Sequence, residues 1–559
     1  MKRPAFWLAV GLFVPFALIS FRQILLFGYL YYVGGIALMP QKWGAIWTGA
    51  LALAGTVLLL VSLRHRDADV SPQPYHALVA AFLAMAAVTL AAQPAWFAPR
   101  AARDADAALD ALLAAIGSEV RPETMYPGRP PVAEADDPVA ALDAKAIVSE
   151  SASFTYLHHL FAPAGSRRYR RHPLVADEME QVTAWLAAHT NFTAAADAIS
   201  ATPDYRSCLQ GPASLTDSAD LLFGGTTSHN WARRYYAETD PRIGVWEIHE
   251  YAELILFRAV AAIASGDAAA GPDAFARIEN LSANFERQPP FLDNLLVPSA
   301  IRRMEIKLLA TRIDLWDEES LCAFERAADS AVASVDSRIR DAAAGEVLFH
   351  DQLLANLENN ETFIRAGVSG SGRLAYGGYF RYMAAAGRRA FYRNFAVSLE
   401  AIRHILAAMA TGEPIADALE SIIEDEHRRF QSMPPLGMAI GVPICGIAGS
   451  VADIRTRATL VHTAVAVERF RRKHGAPPSS LDALVPDYLP AIPRDARTGD
   501  PLSYNPGPVE IPEESVMDLS GSQMRTLPAQ TLPGFSLTLP YGPSRAKQNA
   551  VYDFITSRP

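Results

Sequence analysis

The chain has 559 residues, half of them apolar, and a formal net charge of -10. That length leaves room for about two to four domains and a sizeable core, which excludes a disordered protein, while the acidic balance argues against a nucleic-acid partner. Three widely spaced cysteines, Cys208, Cys322 and Cys445, exclude a disulfide-dense scaffold and a zinc ribbon and read as buried thiols.

A transmembrane helix needs about 17–25 predominantly apolar residues. Residues 43–63 and 75–97 meet this, and 6–40 is an apolar stretch interrupted at Arg22 and Gln23. That first stretch is either one span followed by an aromatic-rich interfacial segment (Phe27, Tyr29, Tyr31, Tyr32) or a hairpin of two short spans. Residues 1–103 therefore read as an anchor of three or four spans. Three spans with the N-terminus inside put the rest of the chain outside the cytoplasm; four put it inside. The positive charges, Lys2, Arg3, Lys42, Arg64, Arg66, Arg100 and Arg103, do not decide between them.

Beyond Asp104 apolar residues recur every three or four positions in Ala-rich text, the period of amphipathic helices. A first helix is expected at 105–116, followed by a proline-rich linker at 122–138. Further helices are expected at 139–160, 176–200, 242–265, 272–285, 291–315, 318–343, 374–411 and 415–431. Residues 434–450 (PPLGMAIGVPICGIAGS) read as an apolar loop, and a long helix is expected at 451–474. Strand-like alternation is confined to the last hundred residues, notably 535–539. The fold class expected is mainly α: anchor, large helical domain at 139–450 as a helical array or superhelix, and a small α+β module at 451–559.

From Arg457 the chain reads RATLVHTAVAVERFRRKHGAPPSSLDALVPDYLPAIPRDARTGDPLSYNPG, and from Gly534 GFSLTLPYGPS. This resembles the C-terminal half of type II secretion pseudopilins, and the same element in large uncharacterised bacterial membrane-anchored helical proteins, over about ninety residues. The stretches FERQPPFLDNLLVPSAIRRMEIKLL and DEESLCAFERAADSAV resemble the latter group as well. Within the tail, Gly475 reads as a left-handed helix C-cap, Ser480 as the cap of a short helix ending near Leu484, and Thr498 to Pro501 as a turn feeding a strand. Pseudopilins carry a short basic leader and a glutamate inside a single hydrophobic helix, whereas this N-terminus has several apolar segments without one. Asp495 and Asp500 offer too few oxygens for calcium, which wants six or more.

The densest polar cluster is WEIHEYAE at 246–253. His249, Glu250 and Glu253, together with Glu424 and His427 at Glu-x-x-His spacing, are the candidates for a metal site in a helical enzyme. A di-iron bundle needs a second Glu-x-x-His motif, and a zinc protease needs a histidine where Glu253 stands. No cofactor is expected. Gly367 to Gly372 lacks the Lys-Ser/Thr of a phosphate loop. Two basic stretches read as contacts to lipid or a protein partner: Arg167, Arg168, Arg170 and Arg171, and Trp231, Arg233 and Arg234. The reading that follows is a non-enzymatic scaffold or assembly subunit of a larger envelope complex in the bacterial inner membrane, its large domain periplasmic and in contact with other subunits. A metal-dependent helical enzyme and a lipid- or small-molecule-binding helical domain are the alternatives.

Overall fold

The computed structural model describes residues 102–120, 142–161, 170–202, 245–286, 292–359, 373–411, 413–431, 445–517, 524–539 and 550–556. The apolar segments at 6–40, 43–63 and 75–97, the linker at 122–138 and the Gly367 to Gly372 stretch lie outside these. Among the described residues no helix is long and apolar enough to cross a membrane. The three- to four-residue apolar period gives α1 (102–116), α2 (Ala144–Ser151), α3 (Phe154–Phe161), α4 (Ala176–Ala188), α5 (Thr190–Ala201) and α6 (Val245–Ala264). After these come α7 (Ala270–Glu286), α8 (Leu292–Thr311), α9 (Glu318–Asn359), α10 (Arg373–Thr411), α11 (Ala416–Gln431) and α12 (Cys445–His474).

The chain is mainly helical, as expected, but four boundaries differ. The stretches 139–160 and 176–200, each expected as one helix, are two. Glu150 explains the second break: its carboxylate accepts the Phe192 N–H and an Asn191 amide at 2.8 Å each, giving the start of α5 an anionic cap from α2. The ring of His189, at the break, stacks on Trp185 with centroids 4.1 Å apart. α9 runs well past 343, and α12 begins inside the apolar stretch expected as a loop.

Two apolar cores result. The first gathers α2 to α8, the start of α9 and the C-terminal half of α12 around α6. Residues 251–257 of α6 are all buried, as suits a helix apolar on every side. The second core gathers α1, Leu295 near the start of α8, the middle of α9, α10, the start of α11 and the N-terminal half of α12. α9 and α12 run antiparallel through both. Arg469 pairs with Glu318 and Glu325, His462 with Glu325 and Asp329, and Arg455 with Asp336, in order along the seam.

Gly475 does end α12 at φ +78°, its N–H on the Arg471 carbonyl at 2.8 Å. Ser480 precedes the short helix Leu481–Leu484 but makes no side-chain cap, a correction to the expected role. The tail then forms β1 (Ser503–Asn505), β2 (Val509–Ile511), β3 (Glu514–Met517), β4 (Met524–Leu527), β5 (Gln530–Leu532), β6 (Gly534–Leu539) and β7 (Ala550–Ile555). A three-stranded antiparallel sheet has the order β1-β6-β7. The pairs β2-β5 and β3-β4 keep one register and are separated where Pro512 and Pro528, which lack an N–H, interrupt the ladder. Phe535, Leu537, Leu539 and Phe554 belong to the first core, so the sheet closes the helical body.

Candidate functional site

Three polar constellations stand out. The first is built by residues 170–172, which thread between the helical body and the strands. Arg170, only 2% exposed, pairs bidentately with Glu178 of α4 at 3.0 and 2.7 Å. Its other donors meet the carbonyls of Leu160, His172 and Pro173. Arg171 pairs with Asp553 of β7, its N–H reaches Glu514 of β3 at 3.1 Å, and its guanidinium reaches the Glu510 carbonyl. His172 is buried between the Pro512 carbonyl and Gln530. Lys307 of α8 donates to the Arg170 carbonyl at 2.8 Å; burial first, then the charge of Arg170, pushes its pKa down to about 8.

Arg170 and Arg171 are therefore not a free basic face. The Arg170 guanidinium, desolvated and with every donor taken, has nothing left for lipid or a partner, which corrects its expected contact role; Arg171, half-buried, pairs with Asp553 and the Glu510 carbonyl and so fastens the sheet to this segment. Arg167, Arg168, Trp231, Arg233 and Arg234 lie outside the described residues.

The second constellation is a carboxyl pair beneath α7. Arg302 of α8 bridges Glu279 at 2.8 Å and Glu286 at 2.5 Å. Glu305, one turn along, is buried and hydrogen-bonded to Glu279. Burial, and then the charge of Glu279, pushes the Glu305 carboxyl well above its ordinary range. Burial also disfavours the Glu279 carboxylate, but the hydrogen bond from Glu305 and the charge of Arg302 outweigh it and hold Glu279 low. The opposite shifts favour one shared proton on the pair. Glu305 Oε1 has no hydrogen-bond partner among the described residues.

The third contains the metal candidates. Glu253, buried in α6, lies 3.6 Å from His158 and 3.9 Å from His249, while Glu250 accepts from the Ser151 hydroxyl at 2.7 Å. Burial, then Arg303 and His158, pushes His249 down to about 4, so it is neutral at physiological pH. Glu424 is exposed on α11, in the second core, and His427 shares that helix. α6 lies in the first core, so the two halves of the expected metal set are not gathered into one site. Among the described residues no three or more His, Cys, Asp or Glu are grouped to hold a metal ion. Asp495 is 2% exposed and uses Oδ1 to accept the Arg497 and Thr498 N–H groups at 2.7 and 3.0 Å, closing the turn rather than opening toward a cation.

The sequence reading missed the attachment of α1. Arg388 of α10 joins Asp106 of α1 at 2.9 Å to Asp351 of α9, which also accepts the Tyr392 hydroxyl. Arg389 meets Asp104 at 3.0 Å, and Ser118 donates to Asp341 at 2.6 Å. The available signal was Asp104 and Asp106 ending a nearly acid-free stretch. No family model, curated protein or solved structure matches the chain.

Proposed function

We propose that the protein is a non-enzymatic, membrane-anchored scaffold or assembly subunit of a larger bacterial envelope complex, acting through protein–protein contacts. The observation that carries the reading is the attachment of α1. The apolar segment at 75–97 ends just before α1, and α1 is held in the second core by Ala105, Leu112 and Ile116 and by the Arg388 and Arg389 pairs. An anchor at 75–97 joins the body through residues 98–101 alone, so the body stands on the bilayer without a long tether. The shared α9–α12 seam supports the same reading, because it makes both cores and the tail one platform. By likeness to pseudopilins, the tail is a structural or docking module and the body faces the periplasm.

Extraction in a mild detergent followed by mass measurement tests the assembly. A particle heavier than one chain with a stoichiometric protein partner is expected; a strictly monomeric particle with nothing co-purifying sinks the proposal. A reporter fused after Pro559 and active only in the periplasm is the expected orientation; activity in the cytoplasm requires four spans.

A further inference from the structure

α1 gives the second core a direction. Its start, at Asp104 and Asp106, is level with Arg389 and Arg388 of α10 and Asp351 of α9; its end, at Ala115 and Ser118, meets Arg403 and Asp341. α1 is therefore parallel to α10 and antiparallel to α9. α9 continues from Asp351 to Asn359, and α10 begins at Arg373, upstream of Arg388. Both helices thus run past the start of α1, on the side where the chain enters it. At about 1.5 Å per residue, α10 extends ~22 Å beyond the Arg388 level and α9 ~12 Å beyond the Asp351 level. The chain between Phe97 and the start of α1 spans at most ~18 Å. A bilayer holding residues 75–97 lies within reach of this helical end.

The sequence there suits such a bilayer. Residues 373–387 read RLAYGGYFRYMAAAG, with Tyr376, Tyr379, Phe380 and Met383 at helical spacing. Residues 373–387 contain no acid, and their charged residues are Arg373 and Arg381, in a chain whose net charge is -10. Tyrosine and phenylalanine interleaved with arginine on a helix favour the headgroup layer, and an acid-free cationic stretch favours anionic lipid.

We propose that the end of α10 at residues 373–387 seats in the headgroup layer of the membrane that holds the N-terminal segments, giving the body a second membrane contact. This rests on the anchored reading above.

Spin labels in the full chain, reconstituted in vesicles containing anionic lipid, test it. With Cys208→Ser, Cys322→Ser and Cys445→Ser as background, labels go on Tyr379→Cys, on Met383→Cys, on Leu58→Cys within the anchor, and on Asp482→Cys on the exposed tail. Labels at 379 and 383 should collide with oxygen more than with an aqueous nickel chelate, at a depth shallower than 58, while 482 favours the chelate. Chelate access at 379 and 383 equal to that at 482, with 58 in lipid, overturns the proposal and leaves the anchor standing. Access to neither reagent overturns it in favour of a protein contact. A label at 58 in water removes the anchored reading and this proposal together. In the unlabelled protein, amide exchange across 373–387 should slow several-fold when anionic lipid replaces zwitterionic lipid; an unchanged rate counts against the proposal.

Discussion

Arg170 keeps its charge in a nearly water-free place because every donor has an acceptor: two oxygens of Glu178 and three backbone carbonyls. Such pairs add little net stability, but breaking one strands the other charge. Glu178→Gln should cost about 3–5 kcal/mol, read as a fall in the denaturant midpoint. Changing Arg170 as well would not restore it, since the carbonyls would then be orphaned. Glu305 behaves differently. Its folded pKa is raised, so the folded state holds a proton that the unfolded chain releases above the ordinary carboxylate range, and this contribution to stability falls as pH rises from there. Glu305→Gln keeps a neutral donor toward Glu279. Relative to the parent it should gain stability as pH rises above the ordinary carboxylate range, measured by denaturation at each pH; a constant difference would show that Glu305 is ionised in the fold. From sequence Arg170 stands out only as part of a basic contact stretch, and Glu305 not at all, because neither burial nor its partners can be read from neighbouring residues.

Among the elements, the helices followed their apolar period closely, and α10 was expected at 374–411 and found at Arg373–Thr411. The failures have a common cause. α4 and α5 are split by a cap that Glu150 supplies from another helix, and α12 extends into 445–450 because Ile447 and Ala448 pack into the second core. Both depend on partners distant in the chain, which a local period does not register. The β6–β7 pair rests on a close backbone approach. A Cβ on Gly534, at φ +152°, would lie 2.1 Å from the Phe554 carbonyl oxygen. Gly534→Ala should therefore cost at least about 2 kcal/mol and speed amide exchange in β7. Normal exchange there would mean the strands can part without loss.

At the scale of the molecule, α8, α9 and α12 each belong to both cores, so neither core keeps its full lining if the other melts. One cooperative transition is expected: fluorescence of Trp185 and Trp316 in the first core and a probe on α11 in the second should report the same midpoint. Separated midpoints would show that the seam does not couple them. The sequence alone determined the helical class, the strand-bearing tail, the glycine that ends α12 and the apolar N-terminal segments, because these follow from composition and local period. Only the tertiary structure decided that the two cores share α8, α9 and α12, that Arg170 is spent inside the helical body and Arg171 on the sheet, and that the metal candidates fall in separate cores. Burial and charge pairing are set by which distant segments meet, and hydropathy along a single chain does not carry that information.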